Sequence, residues 1–384
     1  MTALSNDEAE CVVGIEDFSR STVAPVAPEW AKGRAPDPKL LVRAAELGLT
    51  RLEVPVADGG LGYSFALKAR ACEVLAAADF GFAMSVVNTH NAALKLAQFG
   101  SHELKASHLP ALLWGQASAC TALTERTTGS DFAAIEMRAV KVAGGWVLDG
   151  EKTWITNARN AALAIVYAQC GEVGDRSGIG AFLVDLTAPG CRRYAISSAF
   201  AQSSTGTGGF TLSGYELTDE HLLVEPGQAF TSIMLEINGA RTYVAAMCCG
   251  MLDSALSLCT TYGAQRHSFG RPLAAHQAWR LPLAQAETDL AAARSLVQSA
   301  TNCITSGEDA QLLSAQAKIY AVSTCQKHLP VLLHAMGAEG LRQEYPYARH
   351  LGAAQIAALV DGSTEMLLER VSRLARPVPT LIKN

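Results

Sequence analysis

An acidic residue stands alone in an apolar stretch near the end of the chain, "AALVDGSTEML". This residue, Asp361, follows Ala-Ala-Leu-Val and precedes a Gly-Ser-Thr sequence. A carboxylate in this position can cap the helix that follows. It can also exchange a proton with a substrate, because apolar surroundings raise the pKa of a carboxyl group towards a useful range. The residues alone leave both uses open.

Three further segments combine small, hydroxyl, aromatic or basic residues at close spacing. "ALTERTTGSDFAAIE" (residues 122–136) clusters hydroxyls around Gly129 and can offer backbone N–H groups to a phosphate or to the polar edge of a ring. "WITN" (154–157) can offer a stacking face and a hydroxyl, and "YGAQRHSFGRPLAAHQ" (262–277) can contact a phosphate. Taken alone, each segment is better explained as an ordinary loop, a packed turn or a helix connection, respectively.

Several classes of protein are disfavoured by what the sequence lacks. There is no G-x-G-x-x-G after a strand, no Walker loop and no G-x-S-x-G, so nicotinamide enzymes, P-loop NTPases and serine hydrolases are set aside. Ten cysteines are scattered without the spacing of a zinc site, so we expect no metal and reduced thiols. A net charge of −5 without a basic run argues against nucleic-acid and anionic-membrane binding.

The N-terminal residues lack the basic start and apolar core of a signal peptide, and no uninterrupted apolar run reaches about 18 residues. We therefore expect a soluble, cytoplasmic protein without a membrane span. Hydrophobic residues make up 49% of the chain and charged residues only 17%, which is below the usual quarter. The excess of apolar surface predicts a subunit interface, and hence a homo-oligomer.

Hydrophobic periodicity divides the chain into three parts, and the fold class it predicts is α+β. Residues 1 to about 35 look irregular, and helical spacing then continues to about residue 118. Alternation begins at Ala119, where "MRAVKVAGGWVLDGEKTWITN" carries two turn signals, Gly-Gly and Asp-Gly. Helical spacing returns after Pro226 and predicts a bundle. The predicted domains are an N-terminal helical domain (1–118), a middle β-sheet or barrel domain (119–226) and a C-terminal four-helix bundle (227–384).

Taken together, these segments resemble the acyl-CoA dehydrogenase family of flavoproteins. "LLVRAAELGLTRLEVPVADGGLG", "LTE…GSD", "WITN", "RHSFGRPL…HQ" and "MGAEG…DGSTE" occur in the order and spacing of that family, from about Pro38 to Arg373. The resemblance implies an FAD-dependent oxidoreductase of lipid or acid catabolism that desaturates an acyl thioester between its α and β carbons. It also implies an acyl-CoA or acyl carrier protein substrate, an electron-transfer flavoprotein as partner, and a homo-oligomer, usually a tetramer.

The resemblance also assigns residues. Ser130, Arg241 and Gly362 match positions that contact the bound thioester. His334 stands where the family usually has Gln, and Ala338 where it usually has Gly, so the C-terminal part diverges most. The positions that would bind FAD are Leu123, Thr124, Gly129, Ser130, Trp154, Ile155, Thr156, Arg266, Ser268, Phe269, Gln277, His334, Gly337, Ser363 and Glu365.

Asp361 matches the catalytic base of the family, which is ordinarily a Glu. The base removes the α-proton while the flavin accepts a hydride from the β-carbon. Some members carry this base just before the channel arginine, where this chain has Ala240. Three interpretations of the shorter side chain remain. Asp361 is the base for a substrate that sits closer, such as a bulky or cyclic one. Alternatively, the enzyme performs other flavin chemistry on a thioester, such as desulfination, hydroxylation or acyl carrier protein oxidation. Finally, Asp361 caps the next helix in a catalytically weak, acyl-thioester-binding flavoprotein.

Overall fold

The computed structural model describes residues 4–200 and 203–376, which form two compact units. The first unit runs from Leu4 to Met234 and contains the amino-terminal helices and the sheet. The second begins at Leu235 and is mainly helical. The α+β class and the order helices, sheet, helices are confirmed. The helices of the first unit are α1 (Asn6–Phe18), α2 (Ala27–Ala31), α3 (Lys39–Glu46), α4 (Phe65–Ala78), α5 (Phe80–Phe99) and α6 (His102–Leu113).

The amino-terminal segment is ordered, and the expectation that residues 1 to about 35 are irregular was wrong for the described residues. Ser5 is the N-cap of α1: its hydroxyl accepts from the Glu8 N–H at 3.2 Å, and the Glu8 carboxylate accepts from the Ser5 N–H at 2.8 Å. This reciprocal arrangement is a capping box. The helix buries Ile15 and Phe18, and the Phe18 ring lies 6.3 Å from that of Phe82. Tertiary packing therefore stabilises a helix whose polar sequence gave little periodic signal.

Short polar residues separate the other helices of this unit. Asp79 ends α4 and caps α5, since its Oδ1 accepts from the Phe82 N–H at 2.8 Å and from the Ser204 hydroxyl at 2.6 Å. Ser101 caps α6, because its hydroxyl accepts from the Leu104 N–H at 3.2 Å.

The sheet of the first unit has eight strands in the order β6-β7-β3-β2-β4-β5-β8, with β1 also pairing with β4. The contacts of β4 with β1 and β2 are parallel, and the other pairings are antiparallel. One face of the sheet covers an apolar core that includes Leu148, Phe182 and Phe210. The strands are β1 (Ala119–Ala122), β2 (Arg138–Val142), β3 (Gly145–Ile155), β4 (Leu163–Gln169), β5 (Ile179–Asp185), β6 (Cys191–Ala195), β7 (Gly208–Thr218) and β8 (Leu222–Val224).

The two turn signals of the middle segment have different outcomes. Gly144 lies at φ +77° between β2 and β3, where the chain reverses, which confirms the Gly-Gly turn. The Asp-Gly pair is not a turn. Gly150 lies inside β3 at φ +144°, where the register with β7 shifts by a bulge. A Cβ at Gly150 would lie 2.9 Å from the Cα of Met137, so glycine is needed there because another backbone approaches closely.

The second unit is a helical bundle in which α9 packs against α8, α10 and α11. The longest helix, α7, has the length and hydropathy of a membrane span, but 67% of that apolar window is buried, as in the core helix of a bundle. All ten cysteines are free thiols. The helices are α7 (Ala229–Gln265), α8 (Gln277–Thr305), α9 (Gln311–Ala335), α10 (Tyr347–Leu359) and α11 (Thr364–Ala375), and a short hairpin, β9 (His267–Ser268) with β10 (Arg271–Pro272), follows α7.

Candidate active site

A buried ion pair shapes the loop that follows β1. Lys152 has no exposed surface, and its Nζ donates to Glu125 Oε1 at 2.7 Å and to the Leu123 carbonyl at 2.9 Å. The Glu125 carboxylate also accepts from the N–H groups of Glu136 (2.6 Å) and Met137 (3.0 Å). Burial lowers the pKa of Lys152 to about 8, against the attraction of Glu125. The pair therefore fixes both ends of the loop from Leu123 to Glu136.

Glu125 was not among the predicted site residues. The structure assigns it the role of an anchor: its carboxylate joins the start of the loop to the residues that lead into β2. An acidic residue and a lysine that lie 27 positions apart give no signal of this pairing in the sequence. The pairing depends on β3 crossing beneath the loop.

The rest of this loop is open. Gly129 and Ser130 are exposed, and a Cβ placed on Gly129 would meet no atom within 4 Å. Among the residues that the structure describes, the hydroxyls of Thr124 and Ser130 have no hydrogen-bond partner. The Thr124 carbonyl accepts from the Thr153 N–H at 3.0 Å, which joins the loop to the strand that leads into "WITN". The segment thus offers free donors and an accessible backbone.

"WITN" contains two non-glycine residues in the left-handed region. Trp154 has φ +56° and is 59% exposed, Ile155 is buried, and Thr156 is half-buried. Asn157, at φ +69°, is buried: its Nδ2 donates to the Ala119 carbonyl at 2.9 Å, and its Oδ1 accepts from the Ser85 hydroxyl at 2.9 Å. Such conformations cost of order 1–3 kcal/mol and concentrate at functional sites. Asn157 was not among the predicted site residues, yet it holds the turn that presents the indole.

These residues fit a flavin. An exposed indole in a fixed conformation, the free hydroxyls of Thr124, Ser130 and Thr156, and the unobstructed backbone at Gly129 provide a stacking surface and hydrogen-bond donors for a planar, phosphate-linked group. Leu123 is half-buried and held through its carbonyl, and Ile155 contributes to the core beneath the turn.

In the second unit, the hairpin after α7 carries an exposed aromatic residue. Phe269 is 95% exposed at φ +50°, and Arg266 and Gln277 are also exposed. His276 steadies the hairpin through the Ser268 carbonyl at 3.0 Å.

The predicted positions at the end of α9 lie near the start of α8. The Trp279 Nε1 donates to the Ala335 carbonyl at 2.9 Å, which brings together the regions of Gln277 and His334. His334 is exposed, and Gly337 follows in an exposed turn at φ +62°. The start of α8 and the end of α9 therefore lie close together.

The structure brings Asp361 and Arg241 into contact. Asp361 is half-buried at φ +54°, between α10 and α11, and Gly362 follows at φ +101°. The Arg241 Nε donates to the Asp361 carbonyl at 3.0 Å, and its Nη1 donates to Asn238 Oδ1 at 2.9 Å. Burial raises the pKa of the Asp361 carboxyl, while Lys318 and Arg241 pull it down. Burial also lowers the pKa of Arg241, to about 10.

The cap of α11 is Ser363, and the interpretation of Asp361 as this cap was wrong. The Ser363 hydroxyl accepts from the Met366 N–H at 3.4 Å, and Ser363 has the extended conformation of an N-cap. Glu365 is exposed in the first turn of α11. The Asp361 side chain makes no hydrogen bond or ion pair with any residue in the described ranges, 4–200 and 203–376. Its carboxylate is therefore left free for another partner.

Two hydrogen bonds next to Asp361 come from a residue that the sequence did not single out. The Lys318 Nζ donates to the carbonyls of Val360 and Gly362, the latter at 2.6 Å. Lys318 is 1% exposed, and burial lowers its pKa to about 8, while the nearby Asp361 raises it. Lys318 lies in the Ala-rich stretch "SAQAKIYA", which matches no motif. Its hydrogen-bond partners are therefore visible only in the folded structure.

Comparison with known proteins shows which class this fold and these residues define. Family models of the acyl-CoA dehydrogenase N-terminal, middle and C-terminal domains match residues 5–116, 120–214 and 227–375, so the chain belongs to the acyl-CoA dehydrogenase family. Members of this family are flavin-dependent oxidoreductases that bind FAD.

Individual relatives cover nearly the whole chain. An acyl-CoA dehydrogenase of Bacillus subtilis (strain 168) is 29% identical over 355 residues, covering 92% of this chain and 93% of the relative. The mitochondrial short-chain specific acyl-CoA dehydrogenase of Homo sapiens is 28% identical, covering 91% and 85%. The structure of butyryl-CoA dehydrogenase from Megasphaera elsdenii superposes with a TM-score of 0.92 at 27% identity, covering 98% of this chain and all of that one.

Proposed function

We propose that this protein uses FAD to desaturate a short acyl-CoA thioester between its α and β carbons, with Asp361 as the base. The observation that carries this proposal is the setting of Asp361. A carboxylate without a hydrogen-bond partner in the described residues is held in a rigid left-handed turn between two buried cations. The names of the relatives, short-chain specific and butyryl-CoA dehydrogenase, favour a short acyl group.

Bound FAD supplies the hydride acceptor for the β-carbon. The loop from Leu123 to Ser130 and the turn from Trp154 to Thr156 would hold it, because they offer free hydroxyls, accessible backbone N–H groups and an exposed indole. Asn157 and the Glu125–Lys152 pair act beneath this surface and keep its backbone in place before the cofactor arrives.

Asp361 takes the α-proton. Its carboxylate must be ionised to do so and basic enough to accept the proton, and these demands oppose each other. Burial raises its pKa and makes the carboxylate a stronger base, while the positive charges of Lys318 and Arg241 favour the ionised form and limit the rise. Arg241 also fixes the backbone of Asp361 through its carbonyl, and the Asp361 and Gly362 N–H groups are the candidate donors to the thioester oxygen.

The proposal includes a homo-oligomer and an electron-transfer flavoprotein as partner. His334 and Lys318 lie 16 residues apart on α9, or about 24 Å along its axis. Within one chain, the hairpin surface around Phe269 is therefore remote from the turn of Asp361. This separation supports a hairpin that meets the flavin of a neighbouring subunit. A solved structure that is 26% identical to this chain is described as the electron transferring flavoprotein of Acidaminococcus fermentans, and this likeness favours such a partner.

Anaerobic bleaching of the flavin tests the proposal. The purified protein, loaded with FAD, is mixed with straight, branched and cyclic acyl-CoA thioesters, and the loss of visible flavin absorbance is followed. Wild type should be bleached by a short thioester, and Asp361→Asn should react about 10²–10⁴-fold more slowly, because it cannot accept a proton. Glu369→Gln, which removes an exposed carboxylate paired with Arg373 on α11, is the matched control.

Asp361→Glu tests the length of the base. A displacement of about 1 Å can cost about 10²-fold in rate, so a site built for aspartate should lose activity when the side chain grows by one methylene. A protein that cannot be loaded with FAD contradicts the proposed function as a whole. Equal bleaching of wild type and Asp361→Asn contradicts the assignment of the base. Bound FAD that no acyl-CoA bleaches rules out desaturation of these CoA esters and directs attention to carrier-protein thioesters.

A further inference from the structure

Two buried cations hold three successive carbonyl groups around Asp361. Lys318, from α9, donates to the carbonyls of Val360 and Gly362, and Arg241, from α7, donates to that of Asp361 itself. Both side chains are almost fully buried, at 1% and 6% exposed. Every carbonyl of the segment 360–362 is therefore bound to a positively charged donor.

This arrangement opposes two unfavourable features of the turn. Asp361 and Gly362 are both at positive φ, which is uncommon for a residue with a side chain. The Val360 carbonyl lies at the carboxyl end of α10, where helix carbonyls lack intrahelical partners and the dipole is negative. An ammonium at this point satisfies the carbonyls and complements the dipole, so Lys318 stabilises the conformation that sets the direction of the Asp361 side chain.

A hydrogen bond alone does not require a charge at this place. A buried ammonium is costly to desolvate, and a neutral amide can also donate to a carbonyl. The charge acts on the carboxylate of Asp361, and the thiol of Cys248 is a second titratable group that faces Lys318. The other charged groups around it are Arg241, which acts on the same carboxylate, and Arg370 of α11, which repels Arg241 and donates to Gln311 at 2.6 Å.

We propose that Lys318 is a positioning residue for the candidate base: it locks the turn 360–362 through the two carbonyls that flank Asp361, and its positive charge tunes that carboxylate. The inference rests on the proposed function, since it deepens the role given to Asp361. It separates into a mechanical part, carried by the two hydrogen bonds, and an electrostatic part, carried by the charge.

Two substitutions separate these parts. Lys318→Gln keeps an N–H donor but removes the charge, and Lys318→Met removes both at nearly unchanged length. Lys327→Met is the matched control, because Lys327 lies on the same helix, is 59% exposed and pairs with Asp289 at 2.8 Å on the surface. Thermal unfolding and FAD content are measured first, so that rates refer to folded, loaded protein.

In the bleaching assay, the bleaching rate falls on the acid side of its pH profile. Lys318→Gln should move this acid limb to higher pH by about one unit, because loss of a nearby positive charge raises the pKa of a carboxyl group. Its rate should fall most at low pH and recover as pH rises. Lys318→Met should in addition bleach about 10²-fold more slowly at every pH, as expected for a displaced base. Lys327→Met should match wild type in both respects.

A second readout needs neither flavin nor substrate. Asp361→Cys places a thiol at the same position, and its alkylation rate against pH, followed by mass spectrometry of the peptide that contains residue 361, gives its pKa. Adding Lys318→Gln should raise that pKa by about one unit. If none of the thioesters bleaches the flavin of the wild-type protein but this shift appears, the proposed function fails and the influence of Lys318 on position 361 stands.

The inference is overturned if the thiol pKa and the acid limb are the same with lysine or glutamine at position 318. It is also overturned if both Lys318 variants lose activity only in proportion to lost folding or FAD content. Either result would make Lys318 a residue of general stability.

Discussion

Removal of Lys152 should destabilise the first unit far more than removal of a neighbouring exposed cation. Lys152→Met leaves the Glu125 carboxylate buried, at 6% exposed, with its two backbone N–H donors but no counter-charge. It also releases the Leu123 carbonyl. Breaking a buried pair in this way typically costs about 3–5 kcal/mol. For a unit of roughly 230 residues, each kcal/mol corresponds to about 2–4 °C, so the unfolding midpoint should fall by about 6–20 °C.

The chain supplies its own control. Arg126 and Glu151 are the immediate sequence neighbours of the buried pair, and they also form an ion pair, at 3.4 Å, but Arg126 is 80% exposed. An exposed pair of this kind contributes about 0.2–1 kcal/mol, so Arg126→Met should lower the midpoint by a few degrees at most. Both variants are compared by thermal unfolding and urea titration at the same pH.

A third variant tests the mechanism itself. If the penalty arises from an uncompensated charge, the double change Lys152→Met with Glu125→Gln should be more stable than Lys152→Met alone, because no charge is then left buried. The FAD dissociation constant should rise in Lys152→Met and hardly change in Arg126→Met, since only Lys152 fixes the loop. Equal midpoints for Lys152→Met and Arg126→Met would refute this reasoning.

Four shorter predictions concern other parts of the molecule. Gly129→Ala should leave apoprotein stability within about 0.5 kcal/mol, since its Cβ meets nothing within 4 Å, but should weaken FAD binding in a titration; unchanged affinity would remove Gly129 from the site. Gly81→Ala should cost about 1–3 kcal/mol in urea unfolding, because its Cβ would lie 2.4 Å from the Ser204 hydroxyl; a neutral result would show that this contact yields freely. Phe269→Ser should lower the molar mass in analytical ultracentrifugation if the 95% exposed ring is covered by a second subunit, and an unchanged mass would argue against that role. Burial raises the pKa of Asp361, so the ionised carboxylate is less stable in the folded chain than in the unfolded one; Asp361→Asn should therefore raise the midpoint at pH 7, with the gain fading as the pH falls towards about 4, and a gain that is constant with pH would contradict this.

Local sequence patterns were enough for the order of elements. Helical spacing, the alternation that begins at Ala119 and the return of helical spacing after Pro226 indicated the α+β class, and the Gly-Gly pair correctly marked the turn between β2 and β3. Two local signals were misleading. The acidic residues at the start of α1 suggested an irregular segment, although they include the Glu8 of a capping box. The Asp149–Gly150 pair suggested a turn but forms a bulge inside a strand, because the close approach of the Met137 backbone requires glycine there.

The sequence by itself determined the family and singled out Asp361 as the candidate base, because motifs record residue types at fixed spacings. It left the use of that carboxylate open between a base and a cap. Tertiary structure removed the cap by placing Ser363 at the start of α11. It also revealed that Lys152 pairs with Glu125, which lies 27 positions away in the sequence. Lys318 likewise acts on Asp361, which lies 43 positions away. The sequence around a lysine in a helix or strand does not indicate which residues it contacts. Only packing decides which charges are buried together, and burial is what makes those charges strong enough to shape a loop or tune a base.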